Sequence, residues 1–234
     1  MALAADGKKI ATGVGRSVKL WNVANGLLQT TFPDQPFISC MALAPDDKLL
    51  AVGCGDGTVR LRETATRKDR ARLAGLENVV TRVAFTNDGR LLAAQSFRNV
   101  KIWEVASNKE NATLPACETW ALAADSKTVI IGLPGGRLEV WDLAGGQMKV
   151  PLEWHVKRVL SVACSADARL VASAGADGKV IVWEPGARNR KVHEWPFGGP
   201  VLQVALAPDG RHLVTLNGNG SVCLLRLPGM SPAP

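Results

Sequence analysis

Three residue types able to carry out acyl transfer fall close together in one stretch of the chain: His155, Ser173 and Asp177. A hydroxyl as nucleophile, an imidazole as base and a carboxylate to orient it are the side chains of a nucleophilic triad. The other histidines, His193 and His212, show no metal-ligand spacing with Cys164 or Cys223, so neither a metal centre nor a cofactor is expected. The cysteines, Cys40, Cys54, Cys117, Cys164 and Cys223, are odd in number and form no CxxC. They read as small core residues in a reducing compartment. Glycine-rich stretches at Gly135-Gly136 and at Gly218 to Gly220 lack a GK[ST] ending and a helix to follow, so they are turns rather than phosphate cradles.

Charge offers a second kind of chemistry. The 234 residues carry a formal net charge of +7, which permits an acidic partner without requiring one. Arg67, Lys68, Arg70 and Arg72 form one basic cluster, and Arg188, Arg190 and Lys191 another. Such clusters suit phosphate backbone, other polyanions or acidic protein segments. They equally suit solvated edge charges that discourage sheet-to-sheet association. No aromatic residues interleave with them and the chain has no Tyr, which argues against stacking of bases. Nucleic acid is therefore not the favoured partner. No apolar run approaches a membrane span, and Asp6, Lys8 and Lys9 interrupt any signal-like N-terminus. A soluble, cytoplasmic protein without membrane contact is expected.

The elements that position these residues repeat. An Asp-containing turn recurs at Asp6, Asp46, Asp88, Asp125, Asp167 and Asp209, with steps of 40, 42, 37, 42 and 42. In step with it run the tetrads VKLW ending at Trp21, VRLR at Arg62, VKIW at Trp103, LEVW at Trp141, VIVW at Trp183 and VCLL at Leu225. Each repeat encodes short strands rather than helix. In the fifth, VLSVAC (159–164) and LVAS (170–173) are apolar strands, and Asp177-Gly178 is a hairpin turn that selects Gly for positive φ. Residues 179–183 and 191–195 supply a third and a more polar fourth strand. A four-stranded sheet cannot cover both its faces alone, and stacking copies in a circle does so with short edges. The expected fold is all-β, a β-propeller of four-stranded antiparallel blades.

These residues resemble the WD-repeat propeller family, over residues 1 to 227. The family places a Gly-His before the first strand, a Ser or Thr in the second, an Asp in the second-to-third turn and Trp-Asp at the end of the third. In this sequence His155, Ser173, Asp177 and Trp183 stand at those positions, with Trp154 in place of the Gly and Glu184 in place of the final Asp. The resemblance implies a buried hydrogen-bonded tetrad in which Asp177 holds the imidazole, the hydroxyl bridges, and the indole N–H satisfies the last acceptor. On this reading the triad is structural. Only the fourth repeat keeps the literal pair Trp141-Asp142, while Arg62 and Leu225 replace Trp in the second and sixth.

The units fall at about 1–35, 36–76, 77–115, 116–154, 155–198 and 199–227, with a Pro-rich tail at 228–234 expected to be disordered. Six third strands are visible, without a complete first strand at one end or a fourth at the other. This reads as a six-unit ring with incomplete closure or, since family rings most often have seven blades, as part of a seven-bladed one. The resemblance further implies binding on the face bearing the fourth-to-first loops. There the register places Phe37, Ser39, Val79, Thr81, Glu118, Arg158, Leu160, Pro200 and Leu202. Apolar residues grouped with one Arg and one Glu suit a protein–protein patch, although Leu160 and Leu202 could equally plug a central channel. The expected function is a non-catalytic scaffold binding other proteins. Polyanion binding at the basic edge is the alternative, and a propeller enzyme at the channel a lesser one.

Overall fold

The computed structural model describes residues 1–14, 16–32, 37–165, 169–185, 190–207 and 210–227. Asp167, Arg188, Asp209 and the segment 228–234 lie outside the described residues. The chain divides into two compact units, Met1–Ala116 and Cys117–Pro234. All described secondary structure is strand, and no helix among the described residues is long and apolar enough to cross a membrane.

Met1–Ala116 holds twelve strands: β1 (Ala2–Leu3), β2 (Lys9–Val14), β3 (Ser17–Asn22), β4 (Leu28–Phe32), β5 (Ile38–Leu43), β6 (Leu49–Cys54), β7 (Val59–Glu63), β8 (Asp69–Leu73), β9 (Arg82–Phe85), β10 (Leu91–Gln95), β11 (Asn99–Glu104) and β12 (Glu110–Pro115). They form three antiparallel four-stranded sheets in sequence order. Cys117–Pro234 continues with β13 (Thr119–Leu122), β14 (Thr128–Gly132), β15 (Arg137–Asp142), β16 (Gln147–Glu153), β17 (Val159–Cys164), β18 (Val171–Gly175), β19 (Lys179–Glu184), β20 (Arg190–Pro196), β21 (Val201–Leu206), β22 (His212–Asn217) and β23 (Val222–Arg226). These make a fourth and a fifth sheet of four strands and a sixth of three. The meandering antiparallel order is that of propeller blades.

The Asp of the first four repeats has a definite task. Its carboxylate accepts the backbone N–H two residues on, at 2.8 Å for Asp6, 3.0 Å for Asp46 and Asp88, and 2.9 Å for Asp125. The residue following each takes a left-handed conformation, with φ of 70° at Gly7, 58° at Asp47, 69° at Gly89 and 56° at Ser126. The Asp thus holds the first-to-second strand turn shut where the chain must reverse. A second device recurs where the third strand meets the fourth. A β-bulge falls between Leu20 and Trp21, Leu61 and Arg62, Ile102 and Trp103, Val140 and Trp141, and Val182 and Trp183. The bulge adds twist just before the residue that closes each third strand.

Sheets pack face to face through alternate residues. In Met1–Ala116 the first sheet gives Val18, Leu20 and Phe32 to Met41, Leu50 and Val52 of the second. The second gives Val59, Leu61 and Leu73 to Val83, Phe85 and Leu92 of the third. In Cys117–Pro234 the fourth gives Leu138, Val140 and Leu152 to Val159, Val162 and Trp183 of the fifth. The fifth gives Val180 and Val182 to Val201, Val204 and Leu213 of the sixth. Fully burying each Val or Leu contributes about 1.5–3 kcal/mol, so these seams carry most of the favourable free energy.

Candidate functional site

The fifth sheet brings together the residues of the apparent triad. His155 Nδ1 lies 3.0 and 3.1 Å from the two carboxylate oxygens of Asp177, and His155 Nε2 lies 2.9 Å from Ser173 Oγ. Asp177 also accepts the backbone N–H of Val156 at 3.0 Å and of Lys179 at 3.1 Å. Burial opposes ionisation of Asp177, yet the hydrogen bond from His155 and those from the two backbone amides hold its carboxyl below the usual range. The strand fits around this network because residue 175 is glycine: a Cβ there would stand 2.6 Å from both Asp177 Oδ1 and His155 Nδ1.

Ser173 is fully buried in that network, so no substrate carbonyl can approach its oxygen. The expected fourth member behaves differently. Trp183 is also fully buried, but its indole N–H has no hydrogen-bond partner. Ser173 Oγ lies 2.9 Å from His155 Nε2 and 3.4 Å from the Ile181 carbonyl, and the indole makes no hydrogen bond to it. Trp183 packs instead, edge-on to Trp154 with ring centroids 5.5 Å apart. Elsewhere the same position is satisfied by other means. Trp21 donates to Thr12 Oγ1 at 2.8 Å, and Trp141 to Glu139 Oε2 at 2.9 Å. Arg62, standing where Trp would, pairs with Asp69 and lies 5.9 Å from the Phe32 ring centroid.

The residues expected on the binding face divide between the two units. In Met1–Ala116, Phe37 is 71% exposed and sits over the second-to-third turn of the second sheet: a Cβ on Gly55 would be 3.1 Å from its ring. Gly57 of that turn approaches the carbonyl oxygens of Leu76 and Asn78, and Glu77 between them pairs with Arg98 at 3.2 Å. Beside Arg98 stands Phe97, 72% exposed. A continuous strip therefore runs from Phe37 across the turn to Phe97. Sequence reasoning missed Phe97, although a large apolar residue in a hairpin-turn slot that elsewhere holds Gly, Asp or Asn was a visible signal. Thr81 is exposed and Val79 half-buried next to this strip. Ser39 is spent on structure: its hydroxyl lies between the carbonyls of Gly53, at 2.9 Å, and Val80.

In Cys117–Pro234, Arg158 pairs with Glu118, and Val156 beside them is exposed. Leu160 and Leu202 are the extra residues of β-bulges in β17 and β21, as Ser39 is in β5. Leu160 is half-buried and Leu202 exposed. Bulges re-aim side chains, which places these two outside the regular alternation that buries their neighbours.

The basic clusters lie partly on strands. Arg70 and Arg72 lie on β8, not in the turn with Arg67 and Lys68. Arg70 donates to the Val105 carbonyl at 3.1 Å and Arg72 pairs with Asp56 at 3.0 Å. In the other cluster Arg190 pairs with Glu184 and Lys191 with Glu194, both at 2.7 Å. Much of the basic charge is thus matched locally. The cysteines are all free thiols, and burial pushes Cys40 up to about 11 and Cys164 up to about 12, which leaves both poor nucleophiles. Among the described residues no group of three His, Cys, Asp or Glu could hold a metal ion.

Comparison with known proteins follows the same repeats. The family model "WD domain, G-beta repeat" matches residues 26–62 and 146–184. Two of the chain's repeats thus match the WD-repeat model. The chain is 24% identical to Protein LST8 homolog of Drosophila melanogaster, over 91% of its own length and 73% of the relative's. It is 27% identical to Periodic tryptophan protein 2 of Arabidopsis thaliana, over 79% of its length but 21% of that protein's. It is also 27% identical to U3 small nucleolar RNA-associated protein 15 homolog of Xenopus laevis, over 77% and 44% respectively. The chain thus spans less than half of the latter two relatives.

Proposed function

We propose that the chain is a non-catalytic scaffold that binds other proteins through the loops at one end of its sheets. The observation that carries this reading is the strip in Met1–Ala116 from Phe37 to Phe97, two aromatic side chains held more than two-thirds exposed. Aromatic residues are enriched among the few positions that dominate interface energetics. They sit on short turns anchored in packed sheets, so docking costs little ordering entropy. In Cys117–Pro234 the pair Arg158–Glu118, with Val156 and Leu202, offers a second, mixed surface of the same kind. His155, Ser173, Asp177 and Trp183 serve as internal support for the turns of the fifth blade. The free thiols fit action in a reducing compartment such as the cytoplasm. The six blades follow the sequence units 1–35, 36–76, 77–115, 116–154, 155–198 and 199–227.

The test is comparative co-purification from cells. A Phe37→Ala, Phe97→Ala double variant should keep the melting temperature of the parent, since both rings are largely exposed, while losing a defined subset of its partners. An unchanged partner set would sink the proposal.

A further inference from the structure

Among the described residues the first five sheets each end on an outer strand that pairs on one side only: β4, β8, β12, β16 and β20. Such an edge offers main-chain N–H and C=O groups to any strand that comes alongside, and charge or Pro on the edge deters it. Four of the five carry that protection. β8 holds Asp69, Arg70 and Arg72, and β12 holds Glu110 and Pro115. β16 holds Lys149, Pro151 and Glu153, and β20 holds Arg190, Lys191, Glu194 and Pro196. β4, LQTTF, has neither a charge nor a Pro. A bulge near the start of the outer strand is common to all five, so it does not set β4 apart.

Strand register shows which residues were exchanged. Opposite the residue that closes each third strand stand Leu28, Asp69, Glu110, Met148 and Lys191. Just before them in the chain come Leu27, Lys68, Lys109, Gln147 and Arg190. All ten are exposed, so this corner of a sheet faces solvent whatever packs on either face. Three sheets put charge there and the fourth puts Gln147 and Met148. The first puts two leucines, 63% and 45% exposed. An apolar corner leading into an uncharged edge marks an association surface.

We infer that β4 is a self-association edge, along which two copies of this chain pair antiparallel about a twofold axis. Two identical segments laid antiparallel are related by a twofold, so the edge supplies its own complement. Leu27, Leu28, Gln29, Thr30 and Thr31 present no charge to the same run of the other copy. β8 gives the contrast. Self-paired about Ala71, it would set Arg70 against Arg72, and like charges directly opposite destabilise a ladder. At β4, Leu27 and Leu28 leave water against the other copy's run, which adds apolar burial to the main-chain hydrogen bonds. A ladder this short makes a weak, concentration-dependent dimer. The edge shares no residue with the Phe37–Phe97 strip, so failure of either reading leaves the other standing.

The test is sedimentation of the purified full chain over a range of concentrations, with three double variants beside it. The parent should show a monomer–dimer equilibrium. Leu27→Lys with Leu28→Glu copies Lys109 and Glu110 of the third sheet, and should raise the dimer dissociation constant by about tenfold or more. Leu27→Gln with Leu28→Met copies the uncharged pair of the fourth sheet, and should change it by less than about threefold. Both should keep the circular dichroism of the parent, since the other sheets carry these residues at the same place. Phe37→Ala with Phe97→Ala should dimerise as the parent does. The β4 amides of the parent should exchange more slowly as its concentration rises. A parent that stays monomeric at about 0.1 mM, or a dimer indifferent to the Lys–Glu variant, would overturn the inference. Equal loss in the Gln–Met variant would overturn it too, because freedom from charge would not be what permits pairing. So would loss of the dimer in the Phe37–Phe97 variant, or β4 amides whose exchange ignores concentration, since either places the contact elsewhere.

Discussion

The fifth and sixth sheets are neighbours in Cys117–Pro234, pack against each other, and solve the same local problems with different residues. Where the fifth buries Ser173 against an imidazole, the sixth buries Thr215 with its hydroxyl unpaired. Where the fifth has Gly175 to admit that imidazole, the sixth has Asn217. Its side-chain N–H groups reach Ser221 Oγ at 2.9 Å and Cys223 Sγ at 3.3 Å, while its oxygen stays unpaired. Asp177 becomes Asn219, which accepts only from Ser221, through its N–H at 3.0 Å and its hydroxyl at 2.7 Å. The fifth sheet is closed by β20, and among the described residues the sixth has no strand beyond β23. A repeat can therefore keep its backbone while losing the side-chain network, because the seam of Val180, Val182, Val201, Val204 and Leu213 holds the strands in place. The network adds stability to a sheet that the seam already specifies.

The sharpest way to break the comparison is to put the same charge at the same register position of both sheets. Val180→Asp places a carboxylate in a fully buried seam and should cost more than about 4 kcal/mol, enough to unfold Cys117–Pro234. Val222→Asp should stay within about 0.5 kcal/mol. Urea unfolding followed by tryptophan fluorescence separates the two, and comparable losses would mean that β23 is covered in solution.

The next contrast concerns the networks. His155→Ala leaves Asp177 and Ser173 buried without their partner, and should destabilise by about 3 kcal/mol. In the sixth sheet the matching experiment is Thr215→Val, which removes a buried hydroxyl that bonds to nothing. It should be neutral or stabilise by up to about 1 kcal/mol. A loss of stability from Thr215→Val would show that the hydroxyl has a partner in solution.

Acid distinguishes the sheets in the same sense. The carboxyl of Asp177 is held below its ordinary value, so the unfolded chain binds a proton at higher pH than the folded one. The stability it contributes is complete above about pH 5 and is lost as pH falls through the folded-state value below about 4. Asp177→Asn should lower stability at neutral pH and flatten this acid limb. Asn219, at the equivalent place, carries no titrating group. Urea midpoints measured from pH 7 to pH 3 would show an unchanged limb if Asp177 were not its source.

Much of this was legible in the sequence, for physical reasons. The Asp turns and the third-strand tetrads are local signals, each written in consecutive residues, and their common period fixed strand order and sheet composition. The contact of His155 with Ser173 and Asp177 was legible because strand register converts spacing into proximity. Three things were not. Trp183 reads like a donor in need of an acceptor, yet whether its indole reaches one is decided by geometry that spacing does not encode. The bulges that release Ser39, Leu160 and Leu202 from regular alternation depend on pairing with a neighbouring strand. The local neutralisation of Arg72 and Arg190 likewise arises from partners on other strands or turns, and a run of basic letters hides it.

The smallest expected effect lies on β20, which has no counterpart in the sixth sheet among the described residues. Glu194 on β20 receives Lys179 and Lys191, both at 2.7 Å, and these two lysine hydrogen bonds hold its carboxyl down to about 2. All three groups are partly exposed, so solvent screening keeps the net contribution near about 0.5 kcal/mol. Glu194→Gln should cost about that much in low salt and less at about 1 M salt, where the Debye length falls to about 3 Å. Because Glu194 faces Ile181 across the ladder, the substitution also asks whether β20 is held by its charges or by its backbone. A loss confined to low salt, with the exchange rates of the β19 amides unchanged, would assign that role to the backbone. That outcome is the expected one, since β16 holds to β15 in the fourth sheet with the uncharged Pro151 at the position of Glu194.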